Sequence, residues 1–205
     1  MAGAIKANLR SELLAGRRAV PEAVRHQESG QLCAHLPAAV HGAETVCAYL
    51  PVGSEPGSPE MLDVLNELCG TVLLPVARVS PDGEHLALQW GRYEPGRLTP
   101  GRFGLQVPAE PWLEPEAIAR AQVVLVPALA VDRRGVRLGR GGGFYDRSLS
   151  LCARGTRLIA VVRDTEVVQE LPRDPHDIVM THALTPAGGL LPLPECPSTD
   201  GGSST

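Results

Sequence analysis

The apolar positions along this chain follow two alternating patterns, one typical of helices and one typical of buried strands. Apolar residues recur at helical spacing in three early segments: residues 4–18, the segment that begins at Pro21 and the segment that begins at Ser58. Nearly continuous apolar runs, which are typical of strands covered on both faces, occupy residues 45–50, 71–76, 121–130 and 156–162. The alternation predicts an α/β fold, a single-domain α/β/α sandwich around a mostly parallel, Rossmann-like central sheet.

The helical spacing also predicts which side chains face the core. They are Ile5, Leu9, Leu13 and Leu14 in the first helix, Val24, Leu32 and Leu36 in the second, and Met61, Leu62, Leu65 and Leu68 in the third. Ser58 is the expected N-cap of the third helix. The basic residues of the first helix, Lys6, Arg10, Arg17 and Arg18, are expected elsewhere on its surface.

Glycine, proline and small polar residues mark the segments between these elements. A turn at residues 81–83 predicts a hairpin between residues 78–79 and 85–90, and residues 91–115 are expected to form a long ordered loop. Short helices are predicted at 115–120 and 147–153. Residues 187–205, rich in Pro, Gly, Ser and Thr, are expected to be a disordered tail, which leaves one domain over residues 1–186.

Composition narrows the class of protein. The chain has 205 residues, 43% of them hydrophobic, which suits one globular domain. Its net charge of −4 lacks the basic footprint of a nucleic-acid-binding protein, so no nucleic-acid partner is expected. No apolar run approaches the ~20 residues of a membrane span, and no membrane partner is expected. Five cysteines without a metal-binding spacing favour reduced thiols in the cytoplasm, and the small size is compatible with a monomer, the expected state.

A loop rich in glycine and arginine is the most informative segment. Residues 134–143 follow an apolar run and lead into Phe144-Tyr145-Asp146 and the start of a helical pattern. This arrangement is typical of phosphate sites, because glycines let backbone N–H groups approach the oxygens. Arg137 and Arg140 would add positive charge, and Asp146 offers a carboxylate to Mg²⁺. The loop predicts a nucleotide site; the alternative is a surface turn with solvated arginines.

Four segments, in this order, carry a family resemblance: Lys6-x-x-x-Arg10, Tyr49-Leu-Pro-Val-Gly-Ser-Glu55, Arg137-Leu-Gly-Arg-Gly-Gly-Gly-Phe-Tyr-Asp146 and Leu171-Pro-Arg-Asp-Pro-His-Asp177. Together they closely resemble the motifs of 5-formyltetrahydrofolate cyclo-ligase, also called methenyltetrahydrofolate synthetase, over roughly residues 4–186. The resemblance implies a fold of the NagB/RpiA/CoA-transferase type. It also implies conversion of 5-formyltetrahydrofolate and ATP into 5,10-methenyltetrahydrofolate, ADP and phosphate, with Mg²⁺ as cofactor.

In such an enzyme the γ-phosphoryl group moves onto the formyl oxygen, and the substrate's own N10 nitrogen then closes the ring and expels phosphate. No protein nucleophile is needed, so catalysis consists of positioning two ligands and neutralising phosphate charge. The resemblance makes Arg140 and Tyr145 the candidate catalytic residues. The ATP-binding residues that it implies are Lys6, Arg10, Arg137, Leu138, Gly139, Arg140, Gly141, Gly142, Gly143, Phe144 and Tyr145.

The resemblance further implies Asp146 and Asp177 as magnesium ligands. The alternatives are a helix-dipole carboxylate for Asp146, a plain turn residue for Asp177, and a solvated basic face for Lys6 and Arg10.

The folate-binding residues that the resemblance implies are Val52, Glu55, Gly57, Phe103, Arg140, Phe144 and Tyr145. Three positions depart from the family pattern. Gly142 stands where some relatives carry lysine, Phe144 where tyrosine is usual, and Gly57 where an acidic residue contacts the pteridine. Glu55 is the hypothetical substitute for that acid. Phe103 could stack on a flat pterin or only pack within its loop.

Two other functions remain open from the sequence. A catalytically diverged homologue, or a phosphate-binding enzyme of the same fold that acts on another small substrate, would carry the same loop. Arg140-Gly-Gly also resembles RNA-binding tripeptides, although such segments are repetitive and basic.

Overall fold

The computed structural model describes residues 2–175 and 177–194. Its helices are α1 (Ala2–Ala19), α2 (Glu22–Ala39), α3 (Glu60–Leu68) and α4 (Phe144–Leu149), with short 3-10 helices at Arg102–Gly104, Pro115–Arg120 and Asp164–Glu166. Its strands are β1 (Thr45–Cys47), β2 (Thr71–Val76), β3 (Gln89–Arg92), β4 (Leu98–Pro100), β5 (Gln106–Pro108), β6 (Val123–Pro127), β7 (Ala130–Asp132), β8 (Arg137–Leu138), β9 (Arg157–Val161), β10 (Val167–Val168), β11 (His182–Thr185) and β12 (Gly189–Pro192). Within these ranges, no helix combines the length and hydropathy needed to cross a membrane.

The central sheet is mostly parallel, which confirms the predicted fold class. Its strand order is β12-β11-β9-β6-β1-β2-β3. The inner strands β11, β9, β6, β1 and β2 run parallel, whereas β12 and β3 are antiparallel at the two edges. The strand order reverses between β1 and β6, and the loops at the carboxyl ends of these two strands diverge there to leave a crevice.

Side chains of the inner strands alternate between two cores, one on each face of the sheet. In β6, Val123 and Leu125 join the core formed with α2 and α3. Val124 and Val126 join the core formed with α4 and the 3-10 helix at 115–120. Because both faces are covered, the strand reads as a continuous apolar run, as the sequence pattern predicts.

Helix α1 lies outside these two cores and is held largely by basic side chains. Its Leu9 and Leu13 pack on a small cluster around β7 and β8, but Ile5, expected to face inward, is 51% exposed. Lys6 and Arg17, expected on the surface, are buried. These expectations are wrong because carboxylates from distant parts of the chain bind the basic face, and apolar spacing carries no information about such partners.

Several predicted boundaries and faces are also wrong. The strand predicted at 45–50 ends at Cys47, the run at 121–130 is divided into β6 and β7, and the helix predicted at 147–153 is α4. Val24 and Leu68 are exposed, and the N-cap of α3 is Pro59 rather than Ser58.

The chain between β2 and the 3-10 helix at 115–120 is more regular than the sequence predicts. Residues 91–115, expected as a loop, contain the antiparallel pair β4 and β5. The expected hairpin before them is reduced to one bridge between Val79 and His85, because β3 pairs with β2 instead. A strand of three residues is too short to show the alternation of apolar and polar positions by which strands are recognised in a sequence, and proline and glycine at its ends suggest a loop.

The expected tail is wrong at its beginning. Gly189–Pro192 form β12 and pair with β11, so the ordered chain continues past residue 186. Asp164 holds the connecting turn: its carboxylate accepts hydrogen bonds from Thr185 Oγ1 at 2.6 Å and from two backbone N–H groups. The glycines there form a tight turn. Residues 195–205, the remainder of the expected tail, lie outside the described residues, as do Met1 and His176.

Candidate functional site

A cavity of about 590 Å³ opens at the carboxyl ends of β1, β2 and β6. This is the crevice where the strand order reverses, the usual ligand position in such sheets. Helix α1 contributes Lys6, Arg10 and Arg17 to one wall, and the glycine loop with the start of α4 forms another. The cavity therefore joins the first helix, three strand ends and the loop that carries the predicted phosphate site.

The glycine loop has a backbone conformation that requires glycine. Gly141 and Gly143 have φ values of 99° and 69°, in the left-handed region. A Cβ atom at Gly143 would also lie 2.5 Å from Nη1 of Arg147. Arg10 Nε donates to the carbonyl oxygen of Gly139 at 2.9 Å. The hydrogen bond from Arg10 thus ties the loop to α1, and residues 140–143, which follow Gly139, line the cavity.

Lys6 lies where both ends of the chain meet. Its Nζ atom donates to Oδ2 of Asp174 at 2.7 Å and to Oδ2 of Asp177 at 2.8 Å. Burial alone would lower the pKa of Lys6, but these hydrogen bonds and the charges of the two carboxylates raise it above its ordinary value. The ammonium is therefore charged at neutral pH and lies on the cavity wall.

A second charged pair joins Arg137 and Asp146. Arg137 Nη2 donates to Oδ1 of Asp146, and Nη1 donates to the Ile178 carbonyl oxygen at 2.9 Å. Asp146 and Asp177 both line the cavity. No cluster of three or more metal-binding side chains occurs in residues 2–175 and 177–194. Two carboxylates suit Mg²⁺ only where water and phosphate oxygens complete the coordination, so Asp146 and Asp177 could hold the ion only together with such ligands.

Glu55 connects the loop after β1 to the glycine loop. Its Oε1 atom is 3.0 Å from Nε of Arg140, and its Oε2 atom accepts the Val52 N–H at 3.0 Å. The Glu55 side chain is 8% exposed and that of Arg140 is 49% exposed. A nearly buried carboxylate thus lies in the cavity wall with its orientation fixed by the backbone.

Gly57 does not line the cavity, although the sequence placed it among the folate-binding residues. Its φ is 100°, and a Cβ atom there would lie 2.3 Å from Sδ of the buried Met61. The backbone conformation and the close approach of Met61 explain the glycine at this position. In the loop after β1, Glu55 is the acidic residue that lines the cavity.

Aromatic rings form the outer part of the wall. Phe103, 62% exposed with φ at 59°, lies edge-on to Phe144 with ring centroids 6.1 Å apart. His85 stacks on Phe144, with centroids 4.2 Å apart. Phe103 and Phe144 line the cavity. Their faces offer an apolar surface beside the charged loop.

Tyr145 carries an unusual hydroxyl. The oxygen is buried, and no hydrogen-bond partner is found for it in the described part of the chain. Burial, reinforced by the negative charge of Glu55, raises the pKa of Tyr145 well above its usual value. The hydroxyl is therefore neutral at neutral pH and can donate a hydrogen bond, and other parts of Tyr145 line the cavity.

Comparison with known proteins identifies the family. A model of the 5-formyltetrahydrofolate cyclo-ligase family matches residues 2–186. The chain belongs to this family. A 5-formyltetrahydrofolate cyclo-ligase of Mycolicibacterium smegmatis is 55% identical over 188 residues, which are 92% of this chain and 97% of that protein. The protein of the same name from Escherichia coli is 29% identical over 146 residues, 71% of this chain and 79% of that protein.

Solved structures agree with the family's fold. The NMR structure of Aquifex aeolicus 5,10-methenyltetrahydrofolate synthetase has a TM-score of 0.76 and 26% identity and covers 97% of this chain and 98% of that one. A 5,10-methenyltetrahydrofolate synthetase from Mycoplasma pneumoniae has a TM-score of 0.65 at 20% identity, covering 85% of this chain and 94% of that one, and shows the fold alone. The cyclo-ligase family is a family of enzymes, and this chain shares its fold.

The structure brings most sequence-predicted site residues of this family member to one cavity. They are Lys6, Arg10, Val52, Glu55, Phe103, Arg137, Leu138, Gly139, Arg140, Gly141, Gly142, Gly143, Phe144, Tyr145, Asp146 and Asp177. Sequence reasoning missed Arg17, Tyr49 and Asp174, which also line it. Tyr49 and Asp174 lie within segments already singled out, so their position was a usable signal. Arg17 lies outside these segments. Its only link to the site is its helical register with Lys6 and Arg10, which is too weak a signal to single it out.

Proposed function

We propose that this protein catalyses the ATP- and Mg²⁺-dependent conversion of 5-formyltetrahydrofolate into 5,10-methenyltetrahydrofolate, ADP and phosphate. One observation carries the proposal: a single cavity of about 590 Å³ has a glycine- and arginine-rich wall next to an acidic and aromatic wall. This volume lies within the usual range of small-molecule sites, roughly 300–1,000 Å³. The names of the relatives support a cyclo-ligase that acts on 5-formyltetrahydrofolate, and the two walls of the cavity suit a nucleotide and a folate.

On the nucleotide side, the backbone of residues 139–143 faces the ATP phosphates while Arg137 and Arg140 offset their charge. Lys6 supplies an ammonium from α1, next to Asp174 and Asp177. Asp146 and Asp177 would hold Mg²⁺, which neutralises phosphate oxygens when bound. The phosphate chain thus meets three cationic side chains: Lys6 from α1, Arg137 from β8 and Arg140 from the glycine loop.

On the folate side, the Glu55 carboxylate faces the cavity and is suited to accept hydrogen bonds from the N–H groups of a pterin ring. The Val52 N–H keeps it oriented for that contact. Phe103 and Phe144 offer their rings to the flat ring system. The bond between Glu55 and Arg140 makes the pterin anchor a direct neighbour of the phosphate loop.

The chemical step needs no protein nucleophile. The formyl oxygen attacks the γ-phosphorus as the bond to ADP breaks; N10 then attacks the formyl carbon, loses its proton and expels phosphate with the C–O electron pair. Arg140 offsets the charge on the transferred phosphoryl group, and Tyr145 donates its hydroxyl hydrogen to an oxygen of the reacting group. The apolar lining at Leu50 and Leu74 keeps water from the phosphorylated intermediate.

The setting proposed is a monomer in a reducing, cytoplasmic compartment. The four cysteines in the described residues, Cys33, Cys47, Cys69 and Cys152, are free thiols, which is compatible with such a compartment.

The test is the ATP-dependent appearance of methenyl absorbance when the purified protein is mixed with 5-formyltetrahydrofolate and Mg²⁺. Omission of ATP or chelation of the metal is expected to abolish it. Asp146→Asn and Asp177→Asn should each lower kcat by about 100-fold or more, because each removes an anionic oxygen ligand. Asp82→Asn, in an exposed turn, is the control and should leave kcat unchanged.

Full activity of both aspartate variants would exclude the proposed metal site. An inactive wild-type protein that still binds ATP would instead favour the diverged homologue, with Phe144 as the position to examine.

A further inference from the structure

His85 contacts the glycine loop, yet the proposed reaction has given it no role. It is half-buried and follows the turn at residues 80–84, where its backbone bridges to Val79. Its Nδ1 atom is 2.7 Å from the carbonyl oxygen of Gly142. Its ring stacks on Phe144, with centroids 4.2 Å apart and 18° between the planes. One imidazole therefore touches both the loop backbone and the first residue of α4.

The contact with Gly142 defines the state of the ring. A carbonyl oxygen only accepts hydrogen bonds, so Nδ1 of His85 must carry a hydrogen, either in the neutral Nδ1–H tautomer or in the imidazolium. The ring is thus a donor to the loop in both protonation states. This bond supplements that of Arg10 to Gly139, three residues earlier.

Gly142 is packed closely against both rings. A Cβ atom there would lie 3.1 Å from Cδ2 of Phe144 and 3.5 Å from Nδ1 of His85. Phe103 completes the cluster, 6.1 Å from His85 with 78° between the ring planes. Phe103, Gly142 and Phe144 line the cavity, whereas His85 is not among the lining residues described. Any effect of His85 on a ligand therefore passes through these neighbours.

We infer that His85 is a positioning residue for both ligands. Its Nδ1–H holds the Gly142 carbonyl and so the backbone that faces the phosphates. Its ring holds Phe144 and so the surface that faces the folate ring system. The inference rests on the proposed function for the identity of the ligands. In this inference the hydrogen bond to Gly142 affects ATP binding, and the ring contact with Phe144 affects folate binding.

Three substitutions separate the two contacts. His85→Phe keeps a ring and removes the donor, His85→Asn keeps an amide donor and removes the ring, and His85→Ala removes both. Glu84→Ala, an exposed neighbour in the same turn, is the matched control. For each variant, kcat and the KM values for ATP and 5-formyltetrahydrofolate are measured. The Kd of a non-hydrolysable ATP analogue is measured by calorimetry.

Loss of one such hydrogen bond should raise the KM for ATP by about 3- to 10-fold in His85→Phe, with the folate KM within about twofold of the wild type. Loss of the ring contact in His85→Asn should raise the KM for 5-formyltetrahydrofolate by a similar factor and leave the KM for ATP within about twofold of the wild type. His85→Ala should raise both KM values, and Glu84→Ala neither. Unchanged KM values in His85→Ala would overturn the inference. So would equal increases of both KM values in the Phe and Asn variants, because these would indicate general packing.

Direct binding separates this inference from the reaction itself. If the wild type does not turn over 5-formyltetrahydrofolate, the proposed function fails, but the analogue still tests the Gly142 contact. A Kd weakened in His85→Phe and preserved in His85→Asn supports it, and equal affinities overturn it. Thermal midpoints identify any variant that does not fold, and the KM and Kd values of the remaining variants then test the inference. Failure of all three to fold would make His85 a core residue and overturn the inference.

Discussion

Among single residues, Tyr145 combines two properties that seldom coexist: a buried hydroxyl and no hydrogen-bond partner in the described part of the chain. A polar group left this way costs about 1–3 kcal/mol of folding free energy. Because burial raises the pKa of Tyr145, the hydroxyl keeps its hydrogen at neutral pH. Such a donor is ready for an acceptor oxygen that a ligand brings.

We expect Tyr145→Phe to lower kcat by about 10- to 100-fold, because a donor to the reacting oxygen is removed. The thermal midpoint should stay the same or rise, because the unpartnered hydroxyl is removed as well. Tyr93→Phe is the control, since the Tyr93 hydroxyl donates to Oδ1 of Asp63 at 2.6 Å. It should lower the midpoint and preserve kcat. A midpoint loss in Tyr145→Phe as large as that in Tyr93→Phe would contradict this account.

Residue chemistry was the most predictable part of the site. The residue types of the glycine loop and their order in the sequence indicate a phosphate and metal site, so Arg140 and Asp146 could be identified as candidates without a structure. Gly57 could not be interpreted correctly, because its φ of 100° depends on how the chain turns above Met61. His85 had no signal, because it reaches Gly142 across 57 residues.

At the scale of elements, strands buried on both faces were predictable, and elements defined by polar contacts were not. The strand predicted at 71–76 is β2, with the same bounds. In contrast, β12 lies in a segment whose composition suggested disorder. Its turn depends on Asp164, whose carboxylate accepts hydrogen bonds from Thr185 and the backbone of Ala187. A contact of this kind has no periodicity that a sequence pattern could reveal.

This turn predicts an acid-dependent loss of stability. Burial would raise the pKa of Asp164, but hydrogen bonds from Thr185 and the backbone lower it below its ordinary value of 3.8. Because the folded pKa is depressed, the stabilisation is fully present above the unfolded pKa. It is lost as pH falls through the lower folded pKa.

Asp164→Asn should therefore lower the free energy of unfolding at pH 7 by about 1 kcal/mol, a modest value because the carboxylate is exposed and screened. The difference from wild type should shrink as pH falls below 3.8. Urea unfolding at a series of pH values measures both effects, with Asp82→Asn as the control. A pH-independent difference would argue against the turn's carboxylate as the cause.

At the scale of the whole molecule, the sandwich could be predicted because burial on both faces leaves a local pattern. The ion pairs that join the two ends of the chain could not, because they are specified only once the fold exists. Arg17 donates from Nε to Oε1 of Glu166 at 2.7 Å and from Nη2 to the Ala128 carbonyl oxygen at 2.6 Å. Both charged side chains are at most 5% exposed.

Arg17→Met is expected to destabilise the protein by about 3–5 kcal/mol, because it leaves Glu166 buried and charged without its partner. The double variant Arg17→Met/Glu166→Gln should recover part of that loss, since the remaining group is neutral. Arg18→Met, on the exposed side of the same helix, is the control and should have little effect. Chemical denaturation gives the three values; a double variant no more stable than Arg17→Met alone would contradict coupling of the pair.

The contacts of Lys6 also have a consequence for synthesis. Its partners Asp174 and Asp177 are 168 and 171 residues away in the chain. During translation α1 is made long before the carboxylates that hold Lys6, which follow every inner strand except β11. The part of the cavity wall that holds Lys6 is therefore completed late. A nascent chain arrested before Asp174 has made most of the sheet, while Lys6 still lacks both of its carboxylate partners.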